Sequence, residues 1–340
     1  MQMMDLVPDL RPVILAAREL RDARNTLARF LPNVPVQAIT YRLGRRKRVD
    51  QTVPIRAFDA PATPIRRPGV VDVRGELPAV TPIVDLSETD LNMEFILAQQ
   101  LAGQQVDWQP WVNAAAGLVA VTADNTFELM RGQALSTGIV SLAAEDGTVH
   151  EVDFDVPAER KITVAAPWDP STTAGATAMF ADVEAAHDAH HDGSGSPSGL
   201  ALTTAKVNRL FLRGLQQIFP QQPVGQISLN AYFTDRGLPG VTTNDRTLRA
   251  EDGTRTRIYP EGHLTFLPGA EPIGRTELGV TQESVQQVQN RVLAAPEAPG
   301  LTIITLGQDN PVQRAVKGAA VGLPVIQDNE DITILSGLIA

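Results

Sequence analysis

The chain has 340 residues and no cysteine. Disulfides, thiolate metal sites and a cysteine nucleophile are therefore excluded. No apolar run approaches the ~20 residues that a membrane-spanning helix needs. The first residues include Asp5 and Asp9 and lack the charged-then-apolar layout of a secretory signal, so the expected product is cytosolic. No G-x-x-x-x-G-K-[ST] phosphate loop, G-x-S-x-G nucleophile elbow or fixed-period repeat occurs. The glycines between Gly193 and Gly199 do not make a phosphate site either. Pro197 interrupts them and no strand leads in, so a flexible linker is expected there.

Apolar residues make up 43% and charged residues 20%, the composition of an ordinary globular chain with ample core material. The formal charge of −10 is unevenly spread. Residues 1–80 carry 14 Lys and Arg against 8 Asp and Glu, and the remainder carries 15 against 31. Such asymmetry fits nucleic acid, or a basic arm laid on the acidic body of another copy. Proline is dense in the basic part, which favours the arm.

Apolar residues Leu15, Ala16, Leu20, Ala23, Leu27 and Phe30 form one stripe, predicting a helix from Asp9 to Phe30 that Pro32 and Pro35 end. From Val36 to Leu86, short β-prone runs alternate with six prolines, too long for a plain loop in a compact domain. Ser87, with Glu88 and Asp90 behind it, opens a helix running to Gly103. Helices are also predicted over 111–137, about 40 Å long, and over 173–190 and 202–219. Strands are expected over 226–233, 302–306 and 332–335, and a hairpin around Asp252-Gly253.

The most informative stretch is Thr122–Asp155. Phe127-Glu128-Leu129-Met130-Arg131 and Gln133-Ala134-Leu135 are helix formers, and Gly138 is placed to stop the helix in a left-handed conformation. Ile139–Leu142 and Thr148–Val152 then flank Asp146-Gly147, a hairpin turn signal. Nothing in it groups acids, bases or ligands as a reaction would require.

Three constellations could carry chemistry. His187, His190 and His191 have the helical spacing of a metal site, but a polar helix end running into a glycine-serine loop explains them as well and is favoured. Arg42, Arg45, Arg46, Lys47 and Arg48 could neutralise phosphates, yet only Tyr41 is near enough to stack on bases. Paired acids at Asp153/Asp155 and Asp328/Glu330/Asp331 lack a cleft and read as strand-edge or turn charges.

Several of these segments resemble, in order, the tailed-phage major capsid protein E family, whose shells share the Hong Kong 97-type fold. The segments are Phe127–Leu135, Ser136-Thr137-Gly138, Val152–Asp155 with Pro157, Trp168-Asp169-Pro170, Tyr259–Leu267 and Gly322–Ile326. The resemblance implies an α+β Hong Kong 97-like phage capsid fold. Its divisions would be an N-terminal arm (1–35), an E-loop (36–86) crossing a neighbour and a P-domain with a spine helix (87–167). An A-domain (168–300) and a return to the P-domain/A-domain sheet (301–340) would follow. It places Phe127, Glu128, Met130, Arg131 and Leu135 on the spine helix, and Arg45, Arg46, Lys47, Arg48, Arg66, Arg67 and Arg74 at subunit interfaces.

The implied function is a major capsid protein, forming hexamers and pentamers in an icosahedral shell around double-stranded DNA. Implied partners are a scaffolding protein, a portal and a decoration protein, with assembly in the host cytoplasm and no cofactor or catalysis. The loop-lysine crosslink of some such shells has no supporting motif around Lys47 and is not carried over. The alternatives are an encapsulin-like nanocompartment shell and a soluble α+β enzyme or binding domain.

Overall fold

The computed structural model describes residues 2–3, 25–37, 40–46, 70–93, 96, 109–143, 149–195, 198–249, 253–269, 271–289, 300–309 and 312–339. Two sheets organise them. The larger has seven strands: β1 (Gln2–Met3), β2 (Asn33–Pro35), β5 (Ala79–Val80), β6 (Ile83–Leu86), β15 (Gly274–Leu278), β16 (Thr302–Asp309) and β17 (Val312–Ile326). β17 is its spine, pairing antiparallel with β16, β6, β5 and β15 in turn. The smaller sheet runs in the order β11 (Val241–Thr243), β10 (Leu200–Thr203), β14 (Leu264–Leu267), β18 (Thr333–Ser336), β9 (Lys161–Thr163). Three two-stranded ladders stand apart: β3 (Thr40–Arg46) with β4 (Val70–Glu76), β7 (Ile139–Ala143) with β8 (Val149–Asp153), and β12 (Thr247–Arg249) with β13 (Arg255–Arg257).

Helix α1 (Gln109–Thr137) spans 29 residues, about 43 Å at 1.5 Å per residue, and lies across β17. Small residues permit the close approach. A Cβ on Gly318 would meet Val119 at 2.3 Å, and one on Gly322 would meet Phe127 at 3.1 Å. Eight helical residues and four strand residues each advance about 12–13 Å, so the two contacts stay in step. Gly138, at φ +71°, ends the helix as expected, its N–H bonded to the Ala134 carbonyl. The turn at Asp146-Gly147 lies outside the described residues, but β7 and β8 pair on either side of it.

Over the smaller sheet pack α2 (Thr173–Ser194), α3 (Ala205–Ile218) and α4 (Gln226–Asp235), enclosing a second core around Phe180, Phe211, Phe233 and Phe266. A short α5 (Gln282–Gln289) follows β15.

Several sequence expectations are corrected. Residues 226–233 form a helix and not a strand. Ile227, Leu229 and Phe233 alternate, but Leu229 and Phe233 are also four apart, and the fold buries that pair while Ile227 stays 87% exposed. Residues 202–219 are not one helix: Leu200–Thr203 is a strand, and α3 begins at Ala205, whose N–H is held by Asp245 at 2.9 Å.

The glycine-serine stretch is packed where it is described. α2 runs on to Ser194, Gly193 leaves room for the Arg160 guanidinium, and Gly199 lies against the Gly269 backbone. Thr26–Arg29 is a single 3-10 turn, while residues 9–24 of the expected first helix lie outside the described residues. Residues 88–93 are helical behind Ser87, whose Oγ and N–H exchange bonds with Asp90; Gly103 lies outside the described residues. β9 joins the smaller sheet and β15 the larger.

Candidate assembly elements around the spine helix

The expected spine residues surround one buried ion pair. The Arg131 guanidinium donates to Glu128 Oε2 at 2.9 Å, one turn apart, with the two side chains 2% and 0% exposed. A buried pair offsets its desolvation only when further hydrogen bonds complete it. Here they do. Glu128 Oε1 accepts the Leu27 N–H at 2.9 Å, Arg131 Nε donates to Thr276 Oγ1 at 3.0 Å, and its Nη2 reaches Asn33 Oδ1. Thr276 Oγ1 donates onward to the Leu31 carbonyl at 2.8 Å. The pair thereby clamps residues 27–33 and β15 to the helix.

The front of the chain is thus held on its own body more than sequence suggested. Leu27, Phe30, Leu31, Tyr41 and Leu77 join the core around α1, and β2, β5 and β6 are sheet members. Phe127, Met130 and Leu135 lie in the same core.

Further residues complete this junction. Arg246 donates to both Asn25 Oδ1 and Asn125 Oδ1, and Asn244 donates to Thr26 Oγ1 at 3.0 Å. At the helix end, Thr265 Oγ1 donates to the Leu135 carbonyl at 2.9 Å and contacts the buried Tyr259 hydroxyl at 2.7 Å. Burial pushes the Tyr259 phenol up, so it stays a neutral hydrogen-bonding group. Sequence gave no signal for Arg246, Asn25 or Thr276, because polar residues scattered along a chain show their partners only after folding.

All three charged residues of α1 (Asp124, Glu128 and Arg131) are buried, whereas its exposed positions Pro110, Ala114, Leu118, Thr122 and Thr137 carry no charge. This inverts the usual pattern of a surface helix.

The β3–β4 ladder lies in neither large sheet, and its seven paired positions run from Thr40↔Glu76 to Arg46↔Val70. Tyr41 is paired with Gly75, where any Cβ would meet the hydroxyl at 2.4 Å and the ring at 2.5 Å. The base is therefore pinned by an aromatic ring seated over a glycine. The ladder holds the backbone of the predicted interface residues Arg45, Arg46 and Arg74, while Lys47, Arg48, Arg66 and Arg67 lie outside the described residues.

The three histidines divide between interior and surface. His187 and His190 are buried against Phe266, and His191 is exposed. His190 Nδ1 lies 3.2 Å from Thr333 Oγ1, and its carbonyl accepts from Arg160 at 3.3 Å. Burial, then the nearby Arg160, His187 and His191, lower His190 to about 4. Burial also lowers His187. Among the described residues no group of three or more His, Cys, Asp or Glu is placed to hold a metal ion. Asp153 and Asp155 sit at a turn as expected: Asp155, at φ +47°, donates its N–H to Asp153, and Asn329 holds the Phe154 and Asp155 carbonyls.

The described residues thus combine a long helix crossing a large sheet, a separate two-stranded ladder and a second, helix-covered sheet. The family model for phage major capsid protein E matches residues 24–317. The chain belongs to that family. As a major capsid protein it is a structural subunit of phage virions, and shell building makes it a homo-oligomer. The solved structures similar to it include a protein assigned as a prophage capsid protein from E. coli CFT073, at 16% identity, TM-score 0.56 and 80% coverage of both chains. A phage-related protein from Bordetella bronchiseptica RB50 aligns at 10% identity, TM-score 0.55 and 96% coverage of both chains. At these identities both speak for the capsid fold alone. No curated protein matches significantly. Among the described residues no helix is long and apolar enough to cross a membrane.

Proposed function

We propose that copies of this capsid protein associate as hexamers and pentamers and close into the icosahedral head of a tailed phage around double-stranded DNA. The subunit assembles in the host cytoplasm with a scaffolding protein and a portal. It has no cofactor and catalyses no reaction. The observation that carries this reading is the β3–β4 flap. It forms a ladder outside both sheets, and a two-stranded hairpin alone is marginal in water.

In this reading the flap is the E-loop, the large sheet with α1 is the P-domain, and the small sheet with α2, α3 and α4 is the A-domain. Arg45, Arg46, Lys47, Arg48, Arg66, Arg67 and Arg74 contact acidic surfaces of adjacent subunits. Each exposed ion pair contributes only about 0–1 kcal/mol, but symmetry repeats it at every interface. Electron microscopy and sedimentation of the purified full chain test the reading. Closed particles of megadalton size are expected, and a stable monomer or small oligomer under all assembly conditions would refute it.

A further inference from the structure

The β12–β13 hairpin sets two arginines against each other. Arg249 stands directly opposite Arg255, and Thr247 opposite Arg257. Leu248 packs on the core around α1. Strand alternation therefore turns Thr247 and Arg249, with their partners Arg257 and Arg255, to the other face. Arg257 is neutralised there by Asp245 at 3.5 Å and Glu261 at 2.7 Å. Arg249 and Arg255 are both exposed, and among the described residues neither forms an ion pair.

Like charges directly opposite on an antiparallel pair destabilise it. This hairpin belongs to neither large sheet, so no flanking strand offsets the repulsion. Among the described residues no carboxylate is paired with either guanidinium to offset it. Two guanidinium forks side by side do, however, match carboxylates, which each can bind through two parallel N–H bonds.

We propose that the Arg249–Arg255 face docks on carboxylates of a second copy of this chain, at a contact separate from the flap. The inference rests on the reading of the chain as a shell subunit. A second copy is the fitting occupant because residues 81–340 carry 31 acidic against 15 basic residues. Many of those acids are exposed, among them Asp85, Glu151, Glu159, Asp188, Asp192 and Asp235. A neighbour therefore offers mostly carboxylate.

Two variants of the full chain test this: Arg249→Glu, which sets opposite charges across the ladder, and the double substitution Arg249→Gln/Arg255→Gln, which removes both charges. The unassembled variants are expected to keep or raise their Tm, while particle yield by sedimentation falls at least tenfold. Wild-type yield should also fall as ionic strength rises. A lowered Tm in both variants would overturn the proposal, making the pair structural and already neutralised within its own subunit. Particles at wild-type yield would overturn it too, and if their nucleic-acid content had dropped, phosphate would be the partner. Failure of the wild-type chain to form particles would instead refute the shell reading itself.

Discussion

Glu128 and Arg131 sit one turn apart on the inner face of the spine helix, joined at 2.9 Å and almost fully buried. Between them they hold an N–H of residue 27, the side chain of Asn33 and the Thr276 hydroxyl. The helix is a clamp for the entering chain as well as a strut.

Removing one partner of this pair leaves the other charged and buried. Arg131→Ala should destabilise the unassembled subunit by about 3–5 kcal/mol. Urea denaturation should show a lower midpoint, and proteolysis should show earlier cleavage in residues 25–36, which the pair holds.

Gly132→Ala distinguishes propensity from packing. Alanine favours an isolated helix by about 1 kcal/mol over glycine. In this fold a Cβ at 132 would stand 1.8 Å from the Ile258 carbonyl oxygen, and backbone cannot swing aside as a side chain can. The expected outcome is net destabilisation of about 1–3 kcal/mol, read as a lowered Tm.

The pH dependence has a definite sign. His190 titrates at about 4 in the folded chain against about 6.5 when unfolded. Between those values the unfolded chain binds a proton that the folded one does not, so stability is complete above about pH 6.5 and is lost as pH falls toward 4. The slope from this one group is at most about 1.4 kcal/mol per pH unit. His187 is shifted the same way by burial and steepens it. Denaturation midpoints between pH 4 and 7 should show the slope, and His190→Gln should flatten it.

The flap base gives an assembly-specific test. Gly75→Val would drive side-chain atoms into the Tyr41 ring and part the two strands where they enter the body. Circular dichroism should remain close to wild type, while particle yield by electron microscopy drops. Normal particles would show that flap geometry is not limiting.

Local chemistry already wrote much of this molecule into its amino-acid order. The spine helix, its glycine stop, the helix start at Ser87 and the hairpins at 139–153 and 247–257 depend on neighbours within a few residues, so periodicity and turn chemistry reveal them. Long-range choices were hidden. Alternation at Ile227, Leu229 and Phe233 suited a strand until three helices needed the Leu229–Phe233 face for their core. The 15-residue β17 was legible only through Gly322–Ile326, because it is flanked by strands as far apart in sequence as residues 83–86 and 274–278. That the spine's acid and base turn inward also depends on Leu27, Asn33 and Thr276, up to 145 residues away. Burying charge is favourable only once distant groups arrive to complete it, and distance along a chain carries no mark of that meeting.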